Sequence, residues 1–122
     1  MYRKTDTDEM EPVGLEATEA DVVPVGYHLE TEKSRSNLWV LDEGDEIMRH
    51  RQKEQEELYH VLEGTVQFEV GEGEPDEFLV DAGGFVSVSP EEPRKLTAQE
   101  ASRVFIVGAP FAEDDGVVLE DG

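Results

Sequence analysis

The sequence predicts an all-β chain, a small antiparallel barrel or sandwich. Apolar residues fall into roughly nine short clusters of strand length, separated by turn-forming residues. Between Thr65 and Val70, the apolar Val66, Phe68 and Val70 alternate with Thr65, Gln67 and Glu69, the period of a strand with one wet face. No segment carries an apolar stripe at helical spacing; Gln52 to Glu57 has no apolar face to bury.

Taken in order, Met1 to Ala20 is rich in carboxylates and poor in large apolar side chains, so it reads as a loosely held arm. Tyr27-His28-Leu29, Leu38 to Leu41 and Glu46 to His50 are candidate strands. Leu58 to Leu62 and Thr65 to Val70 follow, split by Glu63-Gly64 as a hairpin turn. Gly71 to Asp76 is a loop by its glycines and proline. Phe78-Leu79-Val80 and Phe85 to Val88 flank Gly83-Gly84 and read as another strand pair. Arg94 to Ala98 and Arg103 to Val107 end the series before an acidic tail. The expected division is an arm over residues 1–25, a barrel over 26–112 and a tail over 113–122.

Composition narrows the function. The 122 residues suit one domain with a real core. Against 31 Asp and Glu stand only 10 Lys and Arg, for a net charge of −21. That balance excludes ordinary phosphate-backbone binding and attraction to anionic lipid, so neither nucleic acid nor membrane is an expected partner. The absence of cysteine excludes disulfides, thiolate catalysis and cysteine-ligated metals. The start of the chain runs into acid and not into an apolar stretch, and the longest apolar run, Val104 to Ala112, falls well short of the roughly 20 residues of a membrane helix. A cytoplasmic protein is expected. Carboxylates occupy every segment while lysine is confined to Lys4, Lys33, Lys53 and Lys95, a balance resembling that of proteins from salt-in halophilic archaea.

The chemistry concentrates between Gly44 and Gly64. The spacing there is Gly44, five residues, His50, one residue, Gln52, four residues, Glu57, six residues, Gly64. Residues two apart on a strand share a face, so His50 and Gln52 should look into the barrel beside Met48, and Glu57, Tyr59 and Val61 should share the next inner face. This run resembles the first motif of the cupin superfamily, in which a second histidine stands where Gln52 is. Asp81 to Arg94, with Gly83-Gly84, alternating apolars, Pro90 and Pro93, is similar to the second cupin motif, with Arg94 (or Lys95) at its histidine position. Val104 to Pro110 resembles the closing strand of small one-domain, RmlC-like cupins.

The resemblance implies a jelly-roll β-barrel and, in its metal-binding members, three histidines and a glutamate around a transition ion. Only His50 and Glu57 of that set are kept. Gln52 offers a poorer neutral oxygen, and arginine donates only, so the metal site reads as degenerate. Two roles for Arg94 stay open inside the barrel: an ion pair with Glu57, or a grip on an anionic ligand. A third places it on the rim. Elsewhere, His28 and His60 read as non-site histidines, and Trp39 as core or interface.

The expected function is therefore the binding of a small polar or anionic molecule by His50, Gln52, Glu57, Tyr59 and Arg94, in a homodimer with no cofactor. One alternative is a metal-dependent dioxygenase, isomerase or lyase holding a divalent transition metal on His50, Gln52 and Glu57. The other is a structural or regulatory barrel filled with side chains. The acidity generates a prediction of its own: at molar salt the Debye length shrinks to about 3 Å, so the unfolding midpoint should rise between dilute buffer and about 2 M KCl. A midpoint insensitive to salt contradicts the halophilic reading.

Overall fold

The computed structural model describes residues 1–14 and 20–119. Among these, eleven strands form: β1 (Val13–Gly14), β2 (Asp21–Val23), β3 (Arg35–Leu41), β4 (Glu46–Gln52), β5 (Glu56–Glu63), β6 (Thr65–Val70), β7 (Asp76–Asp81), β8 (Phe85–Val88), β9 (Arg94–Ala98), β10 (Ser102–Ala109) and β11 (Gly116–Val118). One short helix, α1 (Val25–Leu29), sits between β2 and β3. A six-stranded sheet runs in the order β1-β2-β3-β10-β5-β8 and faces a five-stranded sheet ordered β11-β4-β9-β6-β7. All pairings are antiparallel, giving a flattened barrel of jelly-roll type. No helix among the described residues is long and apolar enough to cross a membrane.

The alternation read from the sequence packs the core. Val66 and Phe68 of β6 point inward to meet Leu96 and Ala98 of β9, Tyr59 and Val61 of β5, and Val104 and Ile106 of β10. Tyr59 meets Phe68 edge-on at 5.5 Å between ring centres. A second cluster lies on the outer face of the larger sheet, where Met10, Val23 and Leu38 pack with Val25, Val40 and Phe105.

That second cluster changes the reading of the acidic arm. Ala20, Val22 and Val23 are buried, and β2 extends the sheet against β3 from Asp21↔Val40 to Val23↔Leu38. A few apolar side chains at the right register outweigh the local charge, whose repulsion acts in water and not in the contact. The acidic tail likewise contributes β11, paired with β4; residues 15–19 and 120–122 lie outside the described residues.

Three further expectations change. Tyr27-His28-Leu29 is part of a helical turn, closed by Glu30 in the left-handed conformation at φ 54°; three residues are too few for a period to declare itself. Phe78 to Val80 and Phe85 to Val88 do not pair with each other. β7 lies beside β6 in one sheet and β8 beside β5 in the other, so Gly83-Gly84 carries the chain between sheets. Its backbone is fixed on Val61, whose carbonyl accepts from Gly83 N at 2.8 Å and whose N–H donates to Gly84 O at 3.0 Å.

The Glu63-Gly64 turn, expected to close a hairpin, also carries the chain between sheets, because β5 pairs with β10 and β8 while β6 pairs with β7 and β9. Gly64 holds φ +82° against Ser102 and Ala101. A Cβ there meets both backbone strain and collision with the Ser102 hydroxyl. Gly44 has φ +86° but open space around it. Gly64→Ala should therefore cost more than Gly44→Ala, about 3 kcal/mol against about 1 kcal/mol, in denaturant unfolding. Equal losses at the two positions would show that the close approach to Ser102 is without energetic weight.

Candidate functional site

A cavity of about 850 Å³ opens between the sheets at the end of the barrel away from Phe68. One wall is the inner face of the larger sheet, where Arg35, Asn37 and Trp39 alternate along β3. The floor is made by His50 and Gln52 of β4 with Glu57 and Tyr59 of β5. The segment joining β10 to β11 closes the side, bringing in Phe111, Glu113, Asp114 and Asp115.

A bulge in β4 aims the floor. Ile47 pairs with Leu96 but His50 pairs with Arg94, so three steps on β4 match two on β9. The extra residue reverses the inner face part-way along the strand. Ile47 is buried and lines the cavity together with His50 and Gln52, whereas Met48, expected beside them, is 37% exposed and does not line it.

Glu57 is the centre of the floor. Its Oε1 accepts a 2.7 Å hydrogen bond from the Tyr59 hydroxyl, and lies 3.6 Å from His50 Nε2 and 3.4 Å from Arg94 Nη1. All these contacts fall on one oxygen, Oε1, of a carboxylate that lines the cavity. Burial by itself raises the Glu57 pKa. The hydrogen bonds of His50 and Tyr59 and the fields of His50 and Arg94 outweigh it, so the carboxyl titrates below the ordinary glutamate value. Burial, followed by the Glu57 charge, pushes the Tyr59 phenol well above its ordinary value and keeps it a donor.

Arg94 does not lie on the rim. It is 0% exposed, the largest fully buried side chain, and its Nη2 donates to the Ser89 carbonyl at 2.7 Å. Nor does it line the cavity: it stands behind Glu57, with Nε and Nη1 lacking any hydrogen-bond partner. The site residues expected from the sequence thus divide. His50, Gln52, Glu57 and Tyr59 reach the cavity, whereas Arg94 reaches only Glu57 and cannot grip a ligand directly.

Gln52 is committed elsewhere. Its Nε2 donates to Gln55 Oε1 at 3.2 Å and to Asp115 Oδ2 at 3.1 Å. Asp115, 3% exposed, also accepts from the backbone N–H of Glu54 and of Gln55, each at 2.9 Å. This buried carboxylate pins the β10–β11 segment to the β4–β5 turn. Sequence reasoning missed it, because an aspartate in an acidic tail gives no local signal of burial. It also missed Asn37 and Arg35, although they share a strand parity with Trp39. Trp39, expected in core or interface, packs on the core and lines the cavity as well. His60 stacks on Phe85 at 3.9 Å and does not line the cavity, and His28 is exposed.

A transition metal does not fit this set. Among the described residues no group of three or more His, Asp or Glu side chains could hold one. Only His50 and Glu57 are suitable donors, Gln52 is drawn toward Asp115, and a divalent ion at Glu57 would face the fixed guanidinium of Arg94.

No protein-family model matches the sequence, and no curated protein matches it. Solved structures do match. KdgF from Halomonas sp. is 17% identical, with a TM-score of 0.77 over 89% of this chain and 95% of that one. An RmlC-like cupin from Shewanella frigidimarina is 14% identical, with a TM-score of 0.77 over 90% and 92% of the two chains. The chain has the cupin fold. Pac13, a nucleoside dehydratase with a structure in the presence of uridine, is 15% identical at a TM-score of 0.78, covering 98% of this chain and 92% of its own. At these identities the likeness concerns the fold, and the chemistry rests on the residues present.

The buried pair carries a stability prediction. A group with a depressed folded pKa contributes stability above its unfolded value and loses it as pH falls through the folded one. Wild type should therefore lose stability more steeply than Glu57→Gln below about pH 4.5. At neutral pH Arg94→Met should cost about 3–5 kcal/mol, and adding Glu57→Gln should recover part of it. Parallel acid profiles, or a double variant weaker than the single one, contradict the coupling.

Proposed function

We propose that this cupin binds a small polar molecule in the cavity, held by a donor group on Glu57 Oε2. The observation that carries the reading is the division of labour on Glu57: Oε1 is taken by Tyr59, His50 and Arg94, none of these contacts falls on Oε2, and the residue lines a cavity with apolar walls and a polar floor. Ile47, Ile106 and Trp39 supply apolar surface, and Asn37 and His50 supply further polar contacts. The volume speaks against a barrel filled by its own side chains. Of the two ligand classes expected from the sequence, the polar one is favoured over the anionic one, since the only buried cation lies behind a carboxylate.

A second reading, an enzyme that moves protons without a metal, is favoured by His50. Its Nδ1 lies 2.8 Å from the Met48 carbonyl, which only accepts, so Nδ1 carries a proton. Nε2 is then the atom that can give or take a proton beside Glu57. Pac13, a dehydratase of nucleosides, supports the idea that a small cupin barrel can house such chemistry. The accompanying proposals are a cytoplasm at molar salt, supported by the charge of −21, and a homodimer, supported by exposed Leu58, Leu62 and Phe85 on the larger sheet.

Trp39 is the only tryptophan of the chain and lies on the cavity wall, so its emission reports the site directly. Acrylamide should quench it, and a panel of polar metabolites should contain compounds that shift the emission saturably in wild type and weakly in Glu57→Gln. Emission shielded from acrylamide and unmoved by the whole panel contradicts the reading.

A further inference from the structure

We propose that the ligand of this cavity is a protonated amine on a flat apolar body, and that anions of the same shape are refused. The inference deepens the binding reading above and rests on it.

The first ground is the balance of buried charge around the cavity. Two carboxylates are involved, Glu57 on the floor and Asp115 at the side, against one guanidinium, Arg94. Arg94 is spent on Glu57. Asp115, 3% exposed, is held by the backbone amides of Glu54 and Gln55 and by the Gln52 side chain, all of them neutral donors. Hydrogen bonds satisfy its lone pairs but leave its charge uncancelled. A buried site one positive charge short is stabilised by a ligand that brings the charge with it.

The second ground is where donors and acceptors point. Glu57 is an ionised carboxylate lining the cavity with its contacts gathered on Oε1, and an ammonium group meets it with a charge-assisted hydrogen bond where an alcohol offers only a neutral one. A carboxylate or phosphate placed there meets like charge. At the mouth, Glu113 and Asp114 add negative field, and Arg35, exposed, is the only lysine or arginine among the lining residues. The third ground is the wall. Trp39, Ile47 and Ile106 add apolar surface to the lining, and tryptophan is the side chain whose face attracts a cation most strongly.

His50 supplies the rival account. A proton on Nε2, 3.6 Å from Glu57, would provide the missing charge without a ligand, and charge would then decide little.

Benzylamine, benzyl alcohol and benzoate share one ring and differ in charge, so they separate these cases. Binding is read from Trp39 emission at about 0.15 M KCl, where the Debye length of about 8 Å limits the pull of the distant acidic surface. The amine should bind about tenfold or more tighter than the alcohol, with benzoate weaker still. Glu57→Gln should reduce the amine's advantage several-fold. Glu77→Gln, on the exposed edge strand β7, should leave it unchanged and so separates the site from the general charge. Equal affinity for the three probes, preference for benzoate, or an amine preference that Glu57→Gln does not reduce overturns the proposal while leaving the cavity as a binding site. Failure of all three to bind although acrylamide reaches Trp39 overturns it as well. A Trp39 that acrylamide cannot reach removes the binding reading itself.

Discussion

An arginine buried without trace of solvent is the constraint on which the rest of the barrel depends. Arg94 is always charged, so its place between the sheets requires a carboxylate within reach, and Glu57 is the one the fold delivers. The two arrive from opposite sheets, Arg94 on β9 and Glu57 on β5, so their pairing ties the sheets together at the depth where the apolar core gives way to the cavity. The geometry is incomplete. Nη1 stands 3.4 Å from Oε1, and neither it nor Nε finds a hydrogen bond. A pair this loosely joined is better understood as a device that fixes the charge state of Glu57 than as a source of net stability.

The neighbouring features follow from that pair. Arg94 and Tyr59 both claim Oε1, so the contacts of this cavity-lining carboxylate gather on one oxygen. Because the guanidinium occupies the ground behind Glu57, a divalent cation there would be opposed by a fixed like charge. The bulge in β4 completes the arrangement by bringing His50 across from Arg94 while excluding Met48. One residue of register in one strand thus decides whether the floor is polar and titratable or lined by thioether.

Much of this was legible in the sequence, for identifiable reasons. Strand alternation gave the inner faces of β5 and β6, because Tyr59, Val61, Val66 and Phe68 sit at the strict period a sheet demands. The spacing from Gly44 to Gly64 located the floor, since it reflects strand, turn and strand lengths that any such barrel must keep. Apart from the Tyr27-His28-Leu29 turn, too short to show a period, the failures were non-local. A bulge inserts a residue without changing composition, so Met48 was placed inside. Strands adjacent in sequence can belong to different sheets, so β5 was paired with β6 and β7 with β8. The burial of Val22, Val23 and Asp115 depends on partners in β3 and in the β4–β5 turn, far away along the chain. Nothing within a window of ten residues announces such contacts, and an acidic surrounding argues locally for the opposite.

Asp115 also explains how a chain with this much charge builds a closed site. In most segments the carboxylates remain at the surface, where molar salt can screen them. Asp115 is taken out of water, and the cost of removing it is met by three amide donors arranged around its oxygens. In return it fixes β11 to the end of β4 and places Glu113 and Asp114 at the cavity mouth. Salt cannot easily reach the Asp115 charge or the Glu57–Arg94 pair. The surface charge of this protein is therefore open to the ionic strength of the medium, whereas the charge inside the barrel is set by the hydrogen bonds and ion pair built around it.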